Sequence, residues 1–227
     1  MQPYFCPYLG YFQLMNSVDR FVLFDDVNYI KKGWINRNRI LVNGSEYLFT
    51  IPLEDVSQNK LICETMIVQD NAWKSDLIKT MERAYRKALQ FDSVFPLIQK
   101  ILLSEERIIS RFIANSLFII TAYLGMATFI VPSSAGYANR HLKGQDRILD
   151  ICARENATEY HNAVGGTGLY SQAAFTDRNI ALRFVRPRPY KYAQFSDTFI
   201  PELSIIDVLM FNPVENIRKM LSDIEMQ

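Results

Sequence analysis

Four clusters in this sequence combine residue types and spacings that suit chemistry. The first is Gln2-Pro3-Tyr4-Phe5-Cys6-Pro7-Tyr8-Leu9-Gly10-Tyr11-Phe12. Its prolines and glycine stiffen a turn at Pro7-Tyr11 that aromatics crowd, which suits either stacking on a sugar or base or packing beneath a sheet. Cys6 has no base beside it in the sequence and is not read as a nucleophile. The second is Asp25-Asp26, two carboxylates closing the apolar run Phe21-Val22-Leu23-Phe24. Acids at the carboxyl end of a buried strand can bind sugar hydroxyls, hold a metal or take a proton; Asp is also a common turn residue. The third is Lys31-Lys32-Gly33-Trp34-Ile35-Asn36-Arg37-Asn38-Arg39. Arginine forks hold phosphate or carboxylate, and amides add neutral donors, so the cluster suits a diphosphate or another compact anion; a solvated hairpin face is the plainer reading. On a strand, Asn36 and Asn38 share one face and Arg37 and Arg39 the other. The fourth is Glu159-Tyr160-His161-Asn162-Ala163-Val164-Gly165-Gly166-Thr167-Gly168-Leu169-Tyr170. Here a strand meets a glycine-rich turn whose backbone a ligand can approach, and His161 is either a base or a packed strand residue.

These residues must be held by elements that the pattern partly reveals. Residues 21–24 read as a buried strand, and Asn43-Gly44 between β-prone runs predicts a hairpin over residues 39–51. Residues 61–68 suggest a further strand. Asn71 caps an expected helix over residues 72–88, and residues 95–100 and 105–124 carry helical spacing with Pro96 near a helix start. A strand at 128–131, a helix at 145–155, strands at 159–163 and 181–185, a helix from Gly165-Gly166 through Tyr170, and helices at 204–211 and 214–224 complete the series. Strands separated by helices predict an α/β fold. Its sheet is expected to be mixed and largely parallel, with flanking helices, an inserted N-terminal hairpin and a helical segment at about 71–125, all in one domain over residues 1–227.

Composition narrows the class. The chain has 227 residues, 25 Lys+Arg against 24 Asp+Glu, and 49% apolar residues, which excludes wholesale disorder and argues against binding a nucleic-acid duplex. Cys6, Cys63 and Cys152 are too scattered for a disulfide framework or a zinc knuckle, and only His141 and His161 are histidines, so no metal centre is expected. Residues 1–10 lack the basic start and apolar core of a signal peptide, which points to the cytoplasm. Residues 112–131 carry no charge over a length that could span a bilayer. Asn115, Ser116, Thr121 and Thr128 interrupt them, and Gly125 marks a helix end, so a buried helix and strand are expected instead.

Three stretches together carry a family resemblance: Gln2 through Gln13, Asp19 through Tyr29, and Trp34-Ile35-Asn36-Arg37-Asn38-Arg39-Ile40. With Asn162-Ala163-Val164-Gly165-Gly166, Leu169-Tyr170 and Leu203 through Leu209, they make the whole chain resemble the WbqC-like protein family. Members usually begin with a short strand before the Gln-Pro motif, so with Met1-Gln2 at its start this sequence is expected to lack that strand or to have a misplaced start. Position 6 is usually a large apolar residue in the family. The resemblance implies a bacterial protein of O-antigen, lipopolysaccharide or other surface-polysaccharide biosynthesis. It also implies a transferase moving an acyl or aminoacyl group, such as glycine, onto an amino sugar.

In that reading the partner is a nucleotide-linked sugar or another small anion, and no cofactor or oligomeric state is assigned. Asp25 or His161 is the candidate base. Lys31, Arg37 and Arg39 would hold a diphosphate, and Asn36 and Asn38 the sugar or donor. Gln2, Tyr11, Asp26, Asn162, Gly165, Gly166 and Tyr170 complete the expected binding set, with the Gly165-Gly166 turn contacting a phosphate or an oxyanion. The Pro7–Tyr11 turn, Asp25, residues 36–39 and the Gly165-Gly166 turn are expected to converge on one cleft. Two alternatives remain. One is a nucleotidyltransferase, because Phe5-Cys6-Pro7-Tyr8-Leu9-Gly10-Tyr11 resembles the phosphate-binding turn of that class without its histidines. The other is a non-catalytic sugar-nucleotide-binding protein.

Overall fold

The computed structural model describes residues 1–195 and 198–227. The fold is α/β. In chain order its elements are α1 (Leu9–Asn16), β1 (Arg20–Val22), β2 (Arg37–Val42), β3 (Ser45–Thr50), α2 (Ala72–Tyr85), α3 (Phe91–Leu102) and α4 (Ile109–Leu124). Then come β4 (Phe129–Val131), α5 (Gly144–Arg154), β5 (Glu159–Ala163), α6 (Gln172–Thr176), β6 (Ala181–Pro187), α7 (Ile205–Phe211), α8 (Val214–Ser222) and β7 (Ile224–Met226).

The strands fall into three small sheets rather than one. β1 pairs with β4 in parallel, β2 with β3 as an antiparallel hairpin, and β6 lies between parallel β5 and antiparallel β7. The hairpin forms where the sequence places it. Asn43 and Gly44 both take positive φ, 51° and 75°, which is the two-residue turn whose twist matches the flanking strands. The uncharged run is α4 followed by β4. Gly125, at φ 66°, ends the helix in the left-handed region, and the hydroxyls of Ser116 and Thr121 donate back to the carbonyls of Ile113 and Leu117. Phe112, Ile113, Leu117, Ile120 and Leu124 are buried in the main core. No helix among the described residues is long and apolar enough to cross a membrane.

Other elements depart from the sequence reading. The expected turn at Pro7–Tyr11 runs straight into α1, whose residues Gly10 to Met15 are all buried. A helix buried all round has no polar stripe, so its period is invisible in the sequence. Residues 61–68 form a short 3-10 turn, Ile62–Glu64, flanked by single bridges to Asn28, Leu53 and Ile108 instead of a strand. α3 begins at Phe91, so Pro96 lies inside it rather than at its start. Val164–Leu169 is a 3-10 segment, and the next α-helix begins at Gln172.

α5 is tied to β1 at both ends. Arg147, in its first turn, forms a buried ion pair with Asp26 beyond the carboxyl end of β1. Glu155, just past its last turn, pairs with Arg20 at the start of β1. α5 therefore runs antiparallel to β1, and a short turn leads from it into β5. A second, smaller apolar cluster of Leu149, Cys152, Phe175, Ile180 and Leu182 packs α5 and α6 onto β5 and β6.

Candidate functional site

A cleft of about 750 Å³ opens between β1 and β5. That volume lies within the roughly 300–1,000 Å³ typical of small-molecule sites. Near the carboxyl ends of the strands, an end called its mouth, it is lined by Gln2, Phe24, Asn162 and Tyr170 together with Gly144 and Gln145 at the start of α5. The other end, called its floor, is lined by Ser17, Val18, Arg20, Val22, Glu159 and His161, of which Arg20 and Glu159 are exposed to solvent. Open α/β folds bind ligands at such carboxyl ends, where the chain departs to either side.

Each mouth residue is placed by its element. Asn162 is the fourth residue of β5; its Nδ2 donates to the hydroxyls of Tyr160 (3.1 Å) and Tyr170 (3.0 Å), which also meet each other at 3.1 Å. Its Oδ1 accepts the Ala163 amide at 2.8 Å. A Cβ at Gly166 would lie 3.2 Å from the Asn162 amide, so this glycine is small because the amide stands over it. Gly165 is open and exposed, and neither glycine lines the cleft. The first amides of α5 carry the positive end of an eleven-residue helix. Arg140, His141 and Lys143, all exposed, lead into it.

The floor holds a serine, a histidine and a carboxylate in contact. Ser17 Oγ lies 3.0 Å from His161 Nδ1, and His161 Nε2 lies 3.0 Å from Glu159 Oε2. This set does not make a nucleophile. Ser17 ends α1 and also donates to the Leu14 carbonyl at 2.8 Å, where the helix dipole opposes an alkoxide. Both His161 nitrogens are engaged, and the hydrogen bond from His161 holds the Glu159 carboxyl below its ordinary 4.5. Cys152, also in the lining, has its thiol pushed up to about 11 by burial and is inert as a thiolate source.

Of the residues expected at the site, Gln2, His161, Asn162 and Tyr170 line the cleft. Tyr11, Asp25, Asp26, Lys31, Asn36, Arg37, Asn38, Arg39, Gly165 and Gly166 do not. The anticipated convergence of four segments therefore does not describe this cleft. Asp25 is buried, and its Oδ1 accepts from Ser133 Oγ (2.7 Å) and the Ser134 amide (3.1 Å), while Ser134 Oγ donates to Asp26. The two acids thus clasp β1 to β4 and, through Arg147, to α5. Arg147 continues to Asn139 Oδ1 at 2.8 Å and lies 4.5 Å over the Phe24 ring.

The basic segment is braced elsewhere. Asn38 Nδ2 donates to the carbonyls of Phe5 and Cys6, at 3.1 and 2.7 Å, holding the turn where Cys6 takes φ 42°. Asn36 Nδ2 donates to the Ile51 carbonyl at 2.7 Å, and its Oδ1 accepts from Tyr29 at 2.6 Å. Arg37 and Arg39 stand 5.5 and 5.3 Å from the Trp34 ring on the opposite face, and Arg39 pairs with Glu46. Lys31 is exposed in the preceding loop. The Tyr11 hydroxyl donates to the Gln2 carbonyl at 2.9 Å. Burial raises the Cys6 thiol pKa far beyond neutrality. Sequence reading missed Gly144, Gln145, Arg147 and Ser134, whose only signal was a polar loop ahead of a helix.

The fold and cleft define an α/β protein with a ligand-sized opening at the carboxyl ends of parallel strands. Comparison of the sequence with family models matches the WbqC-like protein family over residues 2–219, and the chain belongs to that family. It is also 28% identical over 218 residues, 93% of this chain and 91% of the relative, to a protein of Mycobacterium tuberculosis (strain ATCC 25618 / H37Rv) named "Uncharacterized protein Rv1507c". No solved structure matches the chain.

Proposed function

We propose that the chain is a transferase of bacterial surface-polysaccharide biosynthesis, working in the cytoplasm, that binds a nucleotide-linked amino sugar at the mouth of the cleft. The observation that carries this is the meeting there of two kinds of group. The amino end of α5, where Gly144 and Gln145 line the cleft, favours phosphate, and the exposed Arg140 and Lys143, which precede it outside the lining, outweigh Asp146 in its first turn. Gln2 offers a neutral amide and Tyr170 a hydroxyl for the sugar, with Asn162 holding the Tyr170 hydroxyl in place.

The reaction is acyl or aminoacyl transfer. The neutral sugar amine attacks the activated carbonyl of the donor, a nitrogen–carbon bond forms, and the carbon–leaving-group bond breaks. The leaving group departs with the proton lost by nitrogen. The base role expected of Asp25 or His161 is not part of the proposal. Asp25 is clasped by Ser133 and Ser134, and both ring nitrogens of His161 are taken. The mouth residues bind and orient.

The test is incubation with amino-sugar nucleotides and aminoacyl donors, read by mass spectrometry, beside Asn162→Ala and Lys143→Ala. A mass gain on the sugar nucleotide, reduced in both variants, supports the reading. Magnesium-dependent release of pyrophosphate from a nucleoside triphosphate would replace it with the nucleotidyltransferase reading. Tight binding without turnover of any donor would replace it with a binding protein.

A further inference from the structure

We propose that the outer edge of β3 is a self-association surface, and that its occupant is β3 of a second copy of this chain, paired antiparallel about a two-fold axis at Leu48. The phase of the hairpin carries this. On β2, the Arg39 carbonyl accepts from the Ser204 amide and the Leu41 amide donates to the Tyr85 hydroxyl, so these residues turn their backbone groups away from β3. Across the ladder Arg37 stands opposite Thr50, Arg39 opposite Leu48 and Leu41 opposite Glu46. Where one member of an antiparallel pair points its backbone groups outward, its partner does the same on the other strand. Ser45, Tyr47 and Phe49 therefore bond to β2. Glu46, Leu48 and Thr50 present their N–H and C=O groups on the far side of β3, where no strand among the described residues pairs with them.

That edge lacks the devices by which edge strands avoid pairing. β3 has no proline and no lysine, and its ladder to β2 runs without a bulge. Its one charge, Glu46, is paired with Arg39 of the same hairpin. Leu48 is 50% exposed and Tyr47 43% exposed, so both faces of the strand carry apolar surface to its edge.

The edge is complementary to itself. A two-fold axis at Leu48 sets Leu48 against Leu48 of the second copy, and each Glu46 against the other Thr50. Each of these three pairs exchanges two hydrogen bonds, six in all, and leaves no outward group of either strand unpaired. The side chains match as well. Leu48 meets Leu48 on the face that carries Arg37, Arg39 and Trp34. On the opposite face Tyr47 lies across from Phe49 of the second copy, an aromatic pair at the closer, non-hydrogen-bonded spacing. The charges match too. The two Glu46 carboxylates stand at opposite ends of the paired segment, and each looks over Thr50 of the second copy toward the Arg37 beside it. A two-stranded sheet is marginal by itself, and this pairing extends it to four strands. None of these residues lines the cleft, so the inference stands apart from the transferase reading.

The experiment measures self-association by sedimentation over a hundredfold range of protein concentration, in the unmodified chain and in Leu48→Lys and Leu48→Glu. The unmodified chain is expected to pass from monomer to dimer. Each variant is expected to associate at least tenfold more weakly, because the axis sets like charges face to face. Mixing the two variants is expected to restore the dimer as a one-to-one pair, which only contact of position 48 with itself predicts. In the unmodified chain, amide exchange at Glu46, Leu48 and Thr50 is expected to slow at least tenfold as the dimer forms, while Tyr47 and Phe49, already bonded to β2, stay unchanged. A chain that remains monomeric throughout would overturn the proposal, as would a dimer that survives both substitutions. Loss of the dimer in both variants without rescue on mixing would overturn the two-fold pairing at Leu48. Should a substitution lower the melting temperature, the exchange pattern of the unmodified chain decides, and outward amides that ignore concentration would give the edge to some other strand.

Discussion

Asp26 shows how a residue can look catalytic and serve position. Its carboxylate is buried against Arg147 and accepts from Ser134, so it closes three elements at one point. Removing one partner of a buried ion pair strands the other charge, which typically costs about 3–5 kcal/mol. Asp26→Ala is expected to lower stability by about that much in urea unfolding, and Asp26→Ala with Arg147→Ala to cost much less than the two single losses combined. Asp207 behaves differently. It is fully buried and accepts from Tyr85 and Tyr192, each at 2.7 Å, and from Gln194 at 2.8 Å. Burial nevertheless raises its carboxyl above the ordinary 3.8. A raised carboxyl favours the protonated folded state, so its stabilisation is complete below 3.8 and is lost as pH rises through the folded value. Asp207→Asn should flatten the stability–pH curve across that acid window, read by melting temperature against pH.

At the scale of the element, glycines separate local need from tertiary need. Gly125 holds φ 66° at the end of α4, and Arg218 packs against its α-carbon while its Nε donates to the Leu124 carbonyl at 2.7 Å. Gly125→Ala would strain the left-handed turn and displace that guanidinium, for an expected loss of about 1–2 kcal/mol. Gly165 and Gly166 form a sharper contrast. Gly165→Ala should leave stability unchanged, because nothing stands within 4 Å of a new Cβ, whereas Gly166→Ala must push the Asn162 amide aside. Weaker sugar-nucleotide binding in Gly166→Ala alone, measured by calorimetry, is the expected sign that Asn162 shapes the mouth. In sequence the two glycines are indistinguishable; only the side chain of a residue on the preceding strand tells them apart.

For the whole molecule, the mouth makes an electrostatic prediction. Net charge is only +1, so attraction for an anionic ligand must be local, and Arg140 and Lys143 ahead of α5 would supply it beside Arg20 of the lining, which is paired with Glu155. Lys143→Ala is expected to weaken sugar-nucleotide binding about fivefold, roughly 1 kcal/mol, and to reduce its salt dependence. Arg37→Ala, on the far face against Trp34, should leave binding unchanged. A loss with Arg37→Ala instead would return the site to the hairpin.

The sequence alone determined what near neighbours decide. Asn43-Gly44 set the hairpin and its register, Gly125 set the end of α4, and the polar residues within the uncharged run marked it as a buried helix. Its spaced motifs were enough to place the chain in its family. The tertiary structure decided what depends on distant partners. Asp25 meets Ser133 across 108 positions, Asp26 meets Arg147 across 121, and Ser17 meets His161 across 144. Turn chemistry and hydrophobic period act over a few residues, and no such signal reports which face of an acid or an amide will be taken up by a segment a hundred residues away. Thus Asp25, Asn36 and Asn38 have the types a site needs, yet their hydrogen bonds are spent on holding strands and turns together, while Gly144 and Gln145, which carry no motif, reach the cleft because α5 is fastened at both ends to β1.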